Sequence, residues 1–138
     1  MLRLLFAIPL ALMPAMTCAQ SLTGTEWQLL AIDGNVVEMT ATLRAEANGS
    51  VAGKAPCNRW TTMNTTALPE FRPKAIAATR MACDRLDDEQ VFLEVLAVMD
   101  HMALEAGHLV LRGPNARSME FVIDRTALDG CRTCPPIE

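Results

Sequence analysis

A chain of 138 residues, 51% hydrophobic and 20% charged, has the length of one domain and is too apolar to be disordered. Its formal net charge of −4 argues against nucleic acid, whose binding needs clustered Lys and Arg. No apolar stretch approaches the ~20 residues of a membrane-spanning helix.

Residues 1–19 read as a secretory signal peptide. Arg3 gives a positive start, Leu4 to Met13 an apolar run, and Thr17-Cys18-Ala19 small residues at −3 and −1 of a cut before Gln20. The expected location is therefore periplasmic or secreted. A lipoprotein signal is the alternative. Cleavage before Cys18 would leave an acylated residue and a membrane tether. Ala15 and Thr17 fit that signal poorly, so membrane contact is expected only if Cys18 is lipidated.

The following region, 20–124, reads as strands, one helix, then more strands. Thr25 to Ile32 is a strand with Trp27 and Leu29 on one face. Asp33-Gly34 and Asn48-Gly49 are turn signals. Thr40 to Glu46 and Ser50 to Ala55 flank the second and should pair as a hairpin. Thr61 to Thr66 is polar and reads as a loop, and Pro69 and Pro73 punctuate an extended stretch ending in Lys74 to Ala78. A helix follows, with Asp87 as its cap and Gln90 completing a capping box. Asp88 and Glu89 then sit where the helix dipole favours negative charge. Val91, Phe92, Leu93, Val95, Leu96, Val98 and Met99 cover most of its circumference, leaving a polar stripe through Gln90, Glu94 and His101. Such a helix should be cradled by a sheet. Met102 to Glu105 and His108 to Arg112 flank a turn at Ala106-Gly107, and Arg117 to Ile123 is the last strand. Tight turns imply antiparallel pairing. The expected fold is α+β: a curved antiparallel sheet built from hairpins, with one main helix packed in its concave face.

Cys57, Cys83, Cys131 and Cys134 remain after leader removal. In an oxidising compartment they suggest two disulfides, with three connectivities open; Cys57–Cys83 with Cys131–Cys134 is the favoured set. Cys131-Arg132-Thr133-Cys134 lies in a tail, residues 125–138, between Gly130 and Pro135-Pro136. No helix can start there to lower a thiol pKa, so a clamp on the tail is preferred to a redox site. Zinc is not expected, because the other cysteines and both histidines are scattered.

Several segments together resemble the META domain family, which includes HslJ-like heat-shock proteins. Leu22-Thr23-Gly24-Thr25-Glu26-Trp27-Gln28-Leu29 is similar to the family's "LxGTxWxL" start. Val51 to Trp60, containing Cys57-Asn58-Arg59, resembles its "VxGxxGCNRF" segment, with Pro56 where the family has Gly. Thr79-Arg80-Met81-Ala82-Cys83 matches its "TRMAC" signature, and Glu89 to Leu93 the opening of its helix. The resemblance implies a compact exported or envelope domain linked to stress response and tolerance of toxic compounds. It carries no catalytic residues over and does not reach the CxxC tail.

Bridging Cys57 to Cys83 would bring the Asn-Arg and Thr-Arg-Met segments together. Asn58, Arg59, Thr79 and Arg80 are then candidate ligand-binding residues, with the two arginines suited to a carboxylate or phosphate. The alternative is structural: Asn58 in a turn, and Arg80 paired with Asp84, Asp87 or a carbonyl. No enzyme activity is expected. His101 and His108 read as surface residues without a nucleophile nearby, and no metal or cofactor is implied. The expected function is a non-enzymatic, monomeric envelope module that binds a partner protein or small ligand. The alternative is a carrier holding an apolar ligand in a groove lined by Phe92 and Leu96.

Overall fold

Strand β1 (Glu26–Ile32) alternates as a half-buried strand must, with Trp27, Leu29 and Ala31 facing inward. A register shift between Leu29 and Ala31, opposite the last strand, turns Ile32 inward as well. Asp33 and Gly34 have φ of 50° and 78°, so the chain reverses in two residues into β2 (Asn35–Val36). The structure is a computed structural model that describes residues 21–126. The leader, Cys18 and the expected Cys131–Cys134 pair lie outside them.

Strands β3 (Thr42–Ala45) and β4 (Ser50–Lys54) form the expected hairpin, with Gly49 at φ 89° in its loop. Next come β5 (Arg59–Met63), β6 (Ala77–Ala78) and the helix α1 (Leu86–Ala97). Strands β7 (His101–Glu105), β8 (His108–Arg112) and β9 (Ser118–Val122) complete the domain. All strands join one antiparallel sheet in the order β6-β5-β4-β3-β1-β9-β8-β7, with β2 beside β1. The fold is thus α+β with a curved sheet around a single helix.

Contacts to strands on either side of β1 record the curvature. Phe92 of α1 meets Trp60 of β5, ring centroids 5.9 Å apart, while the same helix also touches β9. The segment after β5 links the two ends, since Asn64 bridges to Pro73 and Glu70 to His101. The Asn64 amide fixes this crossing. It donates to the carbonyls of Thr66 and Glu70 and accepts the Arg72 N–H at 2.8 Å. Trp27, Phe71, Phe92, Leu96 and Phe121 are wholly buried between sheet and helix. Each such side chain contributes about 1.5–3 kcal/mol of transfer free energy. At the last described turn Arg125 adds a clasp. Its guanidinium donates to the carbonyls of Leu29, Met39 and Val37.

Four local expectations are corrected. Much of the polar stretch Thr61 to Thr66 is strand, because Thr suits a pleated surface; Trp60 and Thr62 point inward while Thr61 and Met63 face out. The helix starts before Asp87: its N-cap is Arg85, without a side-chain cap, and Gln90 bonds Glu94 instead of reaching back. Its apolar surface is not covered all round, since Phe92, Val95 and Leu96 are buried but Leu86, Val91 and Val98 are exposed. His101 is the first residue of β7 and not part of a helical stripe. No helix among the described residues is long and apolar enough to cross a membrane.

Candidate functional site

The turn between β4 and β5 and the segment leading to α1 meet at one end of the molecule. Cys57 and Cys83 are joined there by a disulfide, Cα atoms 6.0 Å apart across 26 residues. The two signature segments are therefore adjacent, as expected.

Asn58 sits between them, 4% exposed. Its Oδ1 accepts the Met81 N–H at 2.7 Å and the Thr79 hydroxyl at 3.0 Å. Its Nδ2 donates to the Met81 carbonyl at 3.3 Å and to Glu89 Oε1 at 2.7 Å. Its own N–H donates to Glu89 Oε2 at 2.7 Å, and the Cys57 N–H joins it there at 2.9 Å. The Asn58 carbonyl accepts the Ala55 N–H, closing the turn. Pro56 fits inside that turn because it has no N–H to satisfy. Thr79 is committed as well, since its oxygen accepts the Arg59 N–H at 3.1 Å. Asn58 and Thr79 thus form a joint, and neither polar side chain is left to meet a ligand.

Glu89 is the residue that sequence reasoning placed only in the helix dipole. It is 7% exposed, and its carboxylate collects three N–H donors from the β4–β5 turn. A buried acid in an otherwise apolar inward stripe was its only signal.

The two candidate arginines differ from the joint. Arg59 and Arg80 are exposed, and among the described residues neither side chain has an ion-pair or hydrogen-bond partner. The pairing of Arg80 with Asp84 or Asp87 is not formed. Arg59 lines a surface cavity of about 460 Å³ with Lys54, Pro56 and Thr40. Arg80 lines a second, of about 310 Å³, with Ala82 and Leu86. Asn58, Thr79 and Met81 belong to both walls. Met81 is 68% exposed although its backbone is pinned by Asn58. A larger depression, about 520 Å³, lies beside Gln28, Val36 and Glu38. Its one lining cation, Arg125, is spent on backbone carbonyls, so the candidate site is the signature end.

Among the described residues no three His, Cys, Asp or Glu side chains converge to hold a metal. His108 contacts Glu120 on the β8–β9 face, away from the signature end. Phe92 and Leu96, the residues suggested to line a groove for an apolar ligand, are both 0% exposed and part of the hydrophobic core.

Two solved structures share the fold. An NMR structure from Burkholderia xenovorans aligns with a TM-score of 0.56 at 19% identity, covering 86% of this chain and 99% of its own. A second NMR structure aligns with a TM-score of 0.57 at 17% identity, covering 72% of this chain and 88% of its own. A search of curated protein sequences returns no match. The META domain profile matches residues 20–126, which include every element of the sheet, the helix and both signature segments, and the chain belongs to the META domain family.

Proposed function

We propose that this META domain is an exported, non-enzymatic binding module of the cell envelope, acting in stress or toxic-compound tolerance. Its working surface is the signature end. The observation that carries the reading is Met81. A large apolar side chain stands 68% exposed, beside Arg59 and Arg80, which have no side-chain partner among the described residues, on a backbone pinned by Asn58. Apolar surface rimmed by charge on a rigid support is what a recognition site needs. The disulfide is compatible with an oxidising compartment and with the leader-like residues 1–19. A hydrolytic role gains no support, because the only carboxylate lining either cavity, Glu89, is occupied by three N–H donors.

The test is the full chain carrying Met81→Ser with Leu86→Ser, expressed in a host lacking its native copy and grown under envelope stress. Tolerance should be lost while the melting temperature stays unchanged. Full tolerance with this variant would overturn the assignment of the surface. Intact-mass analysis of the exported protein checks the leader, any acyl chain and the disulfide number together.

A further inference from the structure

Lys54 and Arg59 are register partners across β4 and β5, the closing pair of the turn that carries Asn58. Directly opposed residues on antiparallel strands hold their Cβ atoms about 5 Å apart on one face, and like charges there repel. Arg44, Arg72, Arg85, Arg112 and Arg117 each pair with a carboxylate. Lys54 and Arg59 are both exposed, and among the described residues neither side chain has a partner. The two cations line the same 460 Å³ cavity, together with Thr40, Pro56 and Met81.

We propose that this cavity binds the phosphate group of an amphipathic phosphoester. Lys54, Arg59 and the Thr40 hydroxyl take the anion, and Pro56 and Met81 receive the apolar part beside it. A tetrahedral anion carrying up to two charges suits two opposed cations better than a single carboxylate does. The phosphoester is a lipid headgroup or a soluble molecule, and the chemistry at the cavity is the same. The proposal rests on the binding-module reading and names the ligand class for that surface.

The experiment uses the full chain, with inorganic phosphate compared against chloride at matched ionic strength. Phosphate should raise the melting temperature of the wild type and shift the amide resonances of Lys54 and Arg59. Lys54→Ala and Arg59→Ala should each weaken phosphate binding about tenfold, as loss of one charged hydrogen-bond donor does. In chloride, Lys54→Ala should melt above the wild type because the cross-strand repulsion is gone. A response to phosphate no greater than to chloride, or an equal response in the double variant, would overturn the proposal. Sedimentation with phosphatidylglycerol vesicles, lost in the double variant, identifies a headgroup; binding of glycerol phosphate without vesicle binding identifies a soluble phosphoester. Failure here leaves the Met81 and Leu86 tolerance test standing, so the two readings fail separately.

Discussion

The carboxylate of Glu89 and the amide of Asn58, 31 residues apart in sequence, are held at 2.7 Å in a buried polar unit in which every side-chain oxygen and nitrogen has a partner. Such a unit is costly to break in one place, because the abandoned partners stay buried. Glu89→Gln replaces one acceptor oxygen by an NH₂ group, which must face an N–H. We expect it to destabilise the domain by about 1–3 kcal/mol in urea unfolding. Combined with Asn58→Ala it should cost less than the sum of the two single changes. Strict additivity in that double-mutant cycle would show that the two residues are not one unit.

The disulfide and the Asn58 network restrain the same segment by different means. The bridge closes a loop spanning 26 residues, which in the chain-entropy account stabilises by about 3–4 kcal/mol through the unfolded state. The hydrogen bonds hold Met81 and Thr79 within the folded state. Cys57→Ser with Cys83→Ser should therefore lower the melting temperature, while the Met81 amide stays protected from hydrogen exchange under native conditions. Loss of that protection would show that the bridge alone positions the segment.

The same two segments show what could be read beforehand. Turn residues and alternation located the hairpins around Asp33-Gly34, Asn48-Gly49 and Ala106-Gly107, because that chemistry is local. The cysteine count and compartment suggest two disulfides but leave three connectivities open; the structure forms the preferred Cys57–Cys83 pair. The Glu89 contact was not legible. It joins residues 31 and 32 apart, and the nearby acids Asp87 and Asp88 look the same in sequence. The helix start shifted for a related reason: Arg85 bonds Cys83 Sγ and pairs with Asp88, so the preceding loop sets the first turn and Asp87 does not. Periodicity also could not say which apolar residues of α1 the curved sheet leaves exposed.

Gly53 of β4 packs directly against the backbone of β3. A Cβ there would lie 1.9 Å from the Thr42 carbonyl oxygen and 3.2 Å from Leu43 Cα. Both neighbours are backbone of a paired strand and cannot swing aside. Gly53→Ala should cost about 3 kcal/mol, at the upper end for overpacking, with loss of amide protection in β3. A variant as stable as the wild type would mean that β3 and β4 can separate freely at this point.

Ala106 is strained in the opposite sense. It stands at φ 49°, ahead of Gly107 at φ 82°, in the two-residue turn between β7 and β8. Alanine pays about 1 kcal/mol for the left-handed region, which Asn tolerates. Ala106→Asn should therefore raise stability by about 0.5–1 kcal/mol, read as a higher urea midpoint with an unchanged slope. A lower midpoint would contradict this turn geometry.

Asp33 gives the domain a pH dependence of known sign. The Ser118 N–H and the Arg117 guanidinium hold its carboxyl below the ordinary value of 3.8. A carboxyl depressed in the folded state contributes stability above the ordinary value, and that contribution is lost as pH falls through the folded one. Asp33 and Arg117 are 36% and 40% exposed, so solvent limits the effect to less than about 1 kcal/mol. Asp33→Asn keeps the left-handed turn and an acceptor for Ser118 but removes the charge. The wild type should be the more stable at pH 7, and the two proteins should converge as pH falls below the ordinary carboxyl value. A gap unchanged at the acid end would assign the Asp33 contribution to shape and hydrogen bonding alone.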